Sequence, residues 1–441
     1  MRLHKKAVVA TMCLALAGCG MFGKERLKID GERIPVLSEK EIIAADYSAG
    51  DIQIVLPQPA INTNWSQNGG NALHNMGHLK GSDDLKKMWS SNFGSGNSDR
   101  DYLIAAPVMA DNTVFTIDAD AMVSAFRQGD GKRLWKRRLK PRLRDDKDVS
   151  LKGAGLAYYQ GTVYAVTGFG GVFALDRENG KVKWEYFSKT PIRIAPTAGG
   201  GKIFVQTIDN VLLALNAQTG SEIWRYAAPS EATTKVGGAV PAYSESADVL
   251  IAGFSNGELR ALKASTGSPL WGDYLVSSRR TNSLDDINTI RANPVISGDI
   301  VFAAGSNNLL VAIDLRSGQR VWEREIGSDN QPWLAGKYLF VLANDARLMA
   351  VQADSGKIVW DTKIPAGNDV SDQVGVSYAG PLLINNRLLV NTSNGYTFYV
   401  SPYTGKILGY FENGDGSSLP PIAANTQVVI TTTDADIVAY K

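Results

Sequence analysis

The sequence predicts an all-β protein, an eight-bladed β-propeller of four-stranded blades whose last blade is closed by an N-terminal strand. Three observations predict this fold. A signature of alanine, five residues, glycine, three residues and tryptophan recurs along the chain, with turn glycines 38 to 51 residues apart. Short β-branched runs bounded by turn residues lie between the copies, and the two chain ends carry complementary parts of one further copy. Such a period is typical of propellers built from repeated blades.

The signature itself predicts the last two strands of each blade. Its glycine suits a tight turn with a positive φ angle, its alanine leaves room between strands, and its tryptophan can cover the seam between neighbouring blades. We therefore interpret the recurring tryptophan as a packing residue and not as part of a cofactor site. A degenerate seventh copy keeps Gly405 but has Gly409 in place of the tryptophan, with Tyr410 beside it. The six complete copies begin at Ala125, Ala174, Ala214, Ala261, Ala312 and Ala350.

The stretches before each signature predict the first two strands. Seven of the eight open with a proline, continue through a short polar turn into a β-branched run, and reach a second turn rich in Asn, Asp or Gly. The run Lys202-Ile-Phe-Val-Gln-Thr is one example. The strand-initiating prolines are Pro107, Pro196, Pro241, Pro294, Pro332, Pro381 and Pro421.

An eighth copy is divided between the two ends of the propeller region. The C-terminal stretch reaches the signature alanine at Ala439 and stops before the glycine turn, whereas Trp89 stands in a short stretch near the N-terminus. Pairing the two stretches closes the ring and removes its exposed sheet edges. We expect the propeller to span residues 83–441.

The first 18 residues predict a cleaved signal peptide. A basic start is followed by an apolar run, Ala7 to Ala17, which is too short to span a bilayer. The ending Leu-Ala-Gly-Cys resembles the bacterial lipobox, which implies a lipid on Cys19, and the following Gly20 implies the periplasmic face of the outer membrane. The alternative is an ordinary secreted protein cut nearby. Residues 19–82 are predicted to be a lipidated tether, part of which lies against the folded body around Trp65.

Composition excludes several classes of function. The formal charge is +2, and loss of residues 1–18 removes three basic and no acidic residues, leaving −1, so no nucleic-acid partner is expected. Only His74 and His78 remain as histidines, and Cys13 would leave with the signal peptide, so neither a structural disulfide nor a histidine-rich metal site is expected. We predict no cofactor, no metal and no catalytic residues. We interpret the paired acids at 118/120 and 434/436 as hairpin turns.

The repeats resemble the propellers of quinoprotein alcohol dehydrogenases, and with the lipobox the whole chain is similar to the BamB family. That resemblance implies a non-enzymatic scaffold lipoprotein of the outer-membrane β-barrel assembly (Bam) complex. Its implied partners are the POTRA domains of a BamA-like barrel protein, the other Bam lipoproteins and unfolded outer-membrane proteins, and its implied membrane contact is the lipid anchor.

The resemblance also implies where the partner binds. Family members use a Leu-x-Leu-Arg segment, which aligns with Thr233 to Val236, and an Asp-x-Asp, which aligns with Asp286 and Asn288; this chain keeps neither leucine nor the arginine and only one of the aspartates. A polar insertion around residues 277–286 adds further charges. The candidate partner-binding residues are Lys235, Val236, Arg279, Arg280, Asp285 and Asp286.

Two alternatives and one unassigned feature remain. A quinoprotein dehydrogenase would use PQQ, usually with calcium and a vicinal cysteine disulfide, for which the chain has no cysteine pair. A periplasmic glycan-binding propeller would stack sugars on tryptophans outside the repeat register, such as Trp333, although the proline before Trp333 favours its burial.

The basic stretch 132–144 has two interpretations, a solvated outer strand or an electrostatic contact with anionic headgroups or an acidic partner.

Overall fold

The computed structural model describes residues 44–48, 50–98, 103–141, 154–229, 238–275, 289–306, 309–367 and 375–441. These residues contain 32 strands and no helix. Residues 43–441 form one compact unit. None of the described segments is a helix long and apolar enough to cross a membrane.

The strands form eight antiparallel four-stranded sheets, so the predicted eight-bladed propeller is confirmed. In blades 1 to 7 four consecutive strands run from the innermost to the outermost position. Blade 1 is β2 (Val108–Ala110), β3 (Thr113–Ile117), β4 (Met122–Arg127) and β5 (Arg133–Arg138); blade 2 is β6 (Ala154–Tyr159), β7 (Thr162–Thr167), β8 (Gly171–Asp176) and β9 (Val182–Phe187); blade 3 is β10 (Thr197–Gly199), β11 (Lys202–Gln206), β12 (Val211–Asn216) and β13 (Glu222–Ala227); blade 4 is β14 (Ala242–Ser244), β15 (Val249–Gly253), β16 (Glu258–Lys263) and β17 (Pro269–Tyr274).

The remaining blades follow the same order, except the last. Blade 5 is β18 (Val295–Ser297), β19 (Ile300–Gly305), β20 (Leu309–Asp314) and β21 (Arg320–Arg324); blade 6 is β22 (Trp333–Ala335), β23 (Tyr338–Leu342), β24 (Arg347–Gln352) and β25 (Ile358–Lys363); blade 7 is β26 (Tyr378–Ile384), β27 (Arg387–Thr392), β28 (Tyr396–Val400) and β29 (Ile407–Glu412). Blade 8 is β30 (Ile422–Ala424), β31 (Gln427–Thr431) and β32 (Asp436–Tyr440), with β1 (Lys87–Asn92) as its outermost strand.

The N-terminal strand closes the ring in the register that the split signature predicts. Trp89 of β1 pairs with Ala439 of β32. Every complete signature makes the same cross-strand pair, for example Ala125 with Trp135, and a β-bulge follows the alanine. Trp89 therefore completes the eighth copy, and β1 covers the edge of β32 that would otherwise be unpaired.

The signature residues join neighbouring blades as well as strands. The indole of Trp89 lies over Gly131 of blade 1 and donates from Nε1 to the carbonyl of Gln128, at 2.8 Å. A Cβ on Gly131 would lie 2.4 Å from Trp89 Cε3, so only glycine fits there. The same contact joins each of the next six seams, through Trp135, Trp184, Trp224, Trp271, Trp322 and Trp360.

This contact explains why the seventh copy has no tryptophan. The neighbour of blade 7 is blade 8, whose outermost strand β1 comes from the N-terminal region, so the glycine turn that joins the last two strands of the other blades is absent between β32 and β1. A tryptophan in β29 would therefore find neither the glycine nor the turn carbonyl that the other seven tryptophans contact. Aromatic rings cover this seam instead, with Phe411 and Tyr440 centred 4.9 Å apart.

Candidate functional site: two faces and a central cavity

The two faces of the propeller carry different kinds of connection. Within each blade the first-to-second and third-to-fourth strand turns lie on one face, because neighbouring strands are antiparallel. The second-to-third turns and the connections between blades lie on the other face, which we call the connection face. Long inter-blade connections on a rigid scaffold are where binding residues usually lie. The connection face is therefore the candidate interaction surface.

A segment from the N-terminal region, residues 62–79, closes the ring on the face opposite the connection face. We call it the plug. It reaches the innermost strand of every blade or the residues next to that strand. Backbone hydrogen bonds join the plug to blades 1, 2, 4, 5, 7 and 8, and hydrogen bonds that involve a side chain join it to blades 3 and 6. The plug residues that make these bonds are Asn62, Trp65, Ser66, Gln67, Ala72, Leu73, Gly77 and Leu79.

Gln67 and Trp65 show how the plug is held. The Gln67 side chain acts like a short piece of strand, since it donates to the carbonyl of Ala198 at 3.2 Å and accepts from the amide of the same residue at 2.8 Å. Trp65 is 3% exposed and stacks on Trp333, with ring centroids 6.1 Å apart. Trp333 in turn donates to the carbonyl of Gly77 at 2.8 Å. Trp333 is thus buried, with 5% of its surface exposed, as its preceding proline led us to expect, and its indole is stacked on Trp65.

The two histidines also belong to this region. His74 is 2% exposed, and its Nδ1 donates to the carbonyl of Pro294 at 2.8 Å. Burial lowers the pKa of His74 to about 4, so the imidazole is neutral at pH 7. Burial also lowers the pKa of His78, whose Nδ1 donates to the carbonyl of Pro57. Both histidines therefore hold the N-terminal segment in place. Among the described residues no group of three His, Cys, Asp or Glu side chains is placed to hold a metal.

A cavity of about 300 Å³ lies in the centre of the ring, above the plug. Trp65, Asn68 and Gly69 form part of its wall, and the residues before the strand-initiating prolines form most of the remainder. The residue three places before the proline lines the cavity in several blades; this set is Ile104, Arg193, Gly238, Arg291, Asp329 and Ser418.

Arginine side chains give this cavity its charge. Arg291 pairs with Asp329 at 2.9 Å, and Asp329 also accepts a hydrogen bond from Ser306. Arg193 has a buried Nε with no acceptor among the described residues. The sequence analysis missed this group, although its signal was present: two arginines and an aspartate each stand three residues before a strand-initiating proline.

A second, smaller cavity of about 30 Å³ lies on the connection face between blades 3, 4 and 5. Arg193, Asn210 and Ser255 line it, together with Gly238 and Thr289. Thr289 Oγ1 donates to the carbonyl of Ser255 at 3.2 Å, and Ser255 Oγ donates to Asn210 Oδ1 at 3.1 Å. These bonds connect three neighbouring blades at one place.

All the partner-binding residues predicted from the sequence lie outside the described residues. Lys235 and Val236 fall in the connection between β13 and β14, and Arg279, Arg280, Asp285 and Asp286 fall in the connection between β17 and β18. Cys19 and the predicted signal peptide also lie outside the described residues. The described ends of both connections, Gly238 and Thr289, line the smaller cavity. Both predicted partner segments thus join the body at the same part of the connection face, on either side of blade 4.

The acidic pair at 118 and 120 is part of a turn, as the sequence indicates. Asp118 accepts backbone hydrogen bonds from Asp120, Met122 and Ser95, and these bonds fix the turn between β3 and β4. Burial raises the pKa of Asp118. The pair at 434 and 436 occupies the equivalent turn between β31 and β32, where Ala435 has a φ of 61°. Neither pair adjoins the central cavity.

The eight-bladed fold and its signature repeats define a class, the eight-bladed propellers with repeats of the quinoprotein type. Within that class the chain belongs to the family of outer membrane protein assembly factor BamB, whose family model matches residues 119–362. A relative of that name from Yersinia pestis is 25% identical over 80% of this chain and 88% of its own length.

Solved structures agree on the architecture. The crystal structure of BamB from Moraxella catarrhalis superposes with a TM-score of 0.67 at 17% identity, covering 81% of this chain and all (100%) of that one. A quinohemoprotein alcohol dehydrogenase from Comamonas testosteroni reaches the same TM-score, 0.67, at 14% identity, covering 86% and 81%. At these identities the superpositions establish the fold alone, and the family match distinguishes the assembly factors from the dehydrogenases.

Proposed function

We propose that this protein is a scaffold lipoprotein of the outer-membrane β-barrel assembly complex, which binds the POTRA region of a BamA-like protein and helps outer-membrane proteins to fold and insert. The observation that carries the proposal is the family match across the central blades, residues 119–362. The finer parts are the binding to POTRA domains, the contacts with other Bam lipoproteins and unfolded clients, the lipid on Cys19 and the periplasmic location, and these rest on the sequence resemblance.

The shape of the connection face supports a binding role. The described C-terminal ends of the two connections that carry the predicted partner residues, Gly238 and Thr289, line one depression, which is braced by hydrogen bonds between three blades. A braced surface loses little conformational entropy on binding, because the groups around it are already fixed. On the opposite face the plug, residues 62–79, occupies the centre of the ring.

Reversing the charge at Arg279, Arg280 and Asp286 tests the proposed surface. We expect the triple variant to recover much less of a BamA-like partner than wild type does when the lipoprotein is purified from detergent-solubilised membranes. The matched control reverses Arg316, Lys337 and Asp354, which are exposed charges on turns of the opposite face. Equal recovery of the partner with the 279/280/286 variant would place the binding site elsewhere.

The same purification separates this proposal from the alternatives. Copurification of a barrel protein supports the assembly role, whereas enrichment of peptidoglycan fragments would indicate a glycan-binding propeller. Incubation of the purified protein with PQQ and calcium tests the dehydrogenase alternative, and dye-linked oxidation of an alcohol would overturn the scaffold role.

A further inference from the structure

The outermost strand of blade 1, β5, differs in charge from its seven equivalents. It reads Arg-Leu-Trp-Lys-Arg-Arg, with four basic residues and no acidic one. The other seven outermost strands have formal charges between −1 and +1. A charged edge strand is a common protection against aggregation, but equivalent edges of this propeller lack that charge. Protection of the edge therefore does not explain β5.

The basic residues of β5 are exposed and mostly lack carboxylate partners. Arg138 pairs with Asp120 at 3.4 Å, while Arg133 and Arg137 donate to backbone carbonyls of the neighbouring blades. Lys132, Lys136 and Lys140 form no ion pair with any carboxylate of the described residues. These last three lysines span the full height of the blade, about 25 Å at roughly 3.3 Å per residue.

Apolar side chains accompany this charge. Leu134 of β5 is 46% exposed, and on the adjoining outer strands Met88 and Val182 are 47% and 43% exposed. Exposed lysines next to the flanking strands, Lys87 at the start of β1 and Lys181 just before β9, continue the positive surface, while Lys183 of β9 pairs with Asp176 at 3.9 Å. We call this surface, from β1 across β5 to β9, the basic rim. It combines mobile cations with short apolar side chains on a convex perimeter.

We propose that the basic rim docks on an anionic lipid surface, with its lysines and arginines contacting phosphate groups and its apolar side chains entering the headgroup layer. No described residue of the rim lines either of the two cavities above, and long flexible lysines suit a plane of mobile phosphates. Each basic residue near such a surface contributes attraction that is screened over about 10 Å at 0.1 M salt. This proposal rests on the proposed function in one respect, which is that the protein is located next to a membrane.

Vesicle binding tests the proposal without any Bam partner. The mature chain carrying Cys19→Ala, which cannot be lipidated, is sedimented with vesicles of phosphatidylcholine alone or mixed with phosphatidylglycerol. We expect binding only to the phosphatidylglycerol vesicles, and weaker binding as salt rises. Replacing Lys132, Lys136 and Lys140 by glutamine lowers the affinity by about fivefold for each charge, or roughly a hundredfold in total. The control variant replaces Lys263, Lys337 and Lys406, exposed lysines of blades 4, 6 and 7, and keeps most of the binding.

Three results would overturn the proposal: no binding to anionic vesicles, equal loss in both triple variants, or binding that salt does not weaken. Retention of a purified acidic protein partner on the rim, with no vesicle binding, would also overturn it in favour of a protein contact. Copurification with a BamA-like partner is measured separately on the 132/136/140 variant. If this variant still copurifies with the BamA-like partner but no longer binds vesicles, the basic rim and the connection face are separate binding surfaces. Each experiment can therefore be interpreted even if the other fails.

Discussion

Trp89 of the last blade packs against Gly131 of the first blade across the seam between them. The indole ring occupies the space that a side chain at position 131 would need. The indole Nε1 also donates to the carbonyl of Gln128, at the same turn. Because β1 comes from the N-terminal region and β32 from the C-terminus, this contact and the pairing of Trp89 with Ala439 hold the two ends of the propeller together.

Truncation of Trp89 tests that closure. We expect Trp89→Ala to lower the free energy of unfolding by about 3–5 kcal/mol, because a large buried ring is lost and the seam cannot collapse onto the gap. Amide hydrogen exchange in β1 and β32 should quicken more than in blade 4. Lys87→Ala, an exposed change in the same strand, should stay within about 0.5 kcal/mol of wild type. Equal exchange rates in both variants would show that the ring closes by other contacts.

Alanine substitutions at two glycines distinguish the free-energy cost of displacing the tryptophan from the cost of backbone strain. Gly131 and Gly161 have similar positive φ angles, 71° and 74°, but a Cβ on Gly161 would meet nothing within 4 Å. Alanine at either position should incur the strain of a left-handed conformation, about 1 kcal/mol. Gly131→Ala should cost about 1–3 kcal/mol more, since Trp89 must shift. Chemical denaturation of the two variants measures the difference, and equal costs would contradict the proposed role of the indole.

The plug depends on Gln67. Gln67→Ala removes both hydrogen bonds to Ala198 and leaves the buried amide of Ala198 without a partner, which costs about 1–3 kcal/mol. We expect faster hydrogen exchange at Ala198 and along residues 66–70, and cleavage in this segment at lower protease concentration. Gln58→Ala, an exposed change in the approach to the plug, should alter neither. Unchanged exchange at Ala198 in the Gln67 variant would contradict this account.

Stability should fall in mild acid because of His74. Its pKa is about 4 in the folded protein and about 6.5 in the unfolded chain, so between these values the unfolded state binds more protons. The contribution of this group is therefore complete above pH 6.5 and is lost as the pH falls, by about 2 kcal/mol at pH 5. His74→Gln should lessen the difference between unfolding free energies at pH 7 and pH 5. A difference as large as that of wild type would exclude His74 as its source.

Much of the fold follows from local sequence patterns. The signature alanine, glycine and tryptophan predicted the blade count and the closing strand, because the three residues of each copy stand at fixed positions within one short run and the copies recur at blade-length intervals. The same reasoning identified the acidic pairs as turns and predicted the burial of Trp333. The plug was harder to recognise, since Gln67, His74 and Trp65 are fixed by contacts with distant blades and belong to no repeat.

The sequence by itself determined the repeats, the split eighth blade and the basic composition of β5, since these depend on residue order and short-range periodicity. Only the tertiary structure decided that residues 62–79 close one face of the ring, and that Arg193, Arg291 and Asp329 meet around its cavity. It also decided that the charge of β5 stands beside exposed apolar residues of two other strands. These relationships join residues far apart in the chain, and their physical cause is the closure of the ring, which brings every innermost strand to one axis and every outermost strand to one perimeter.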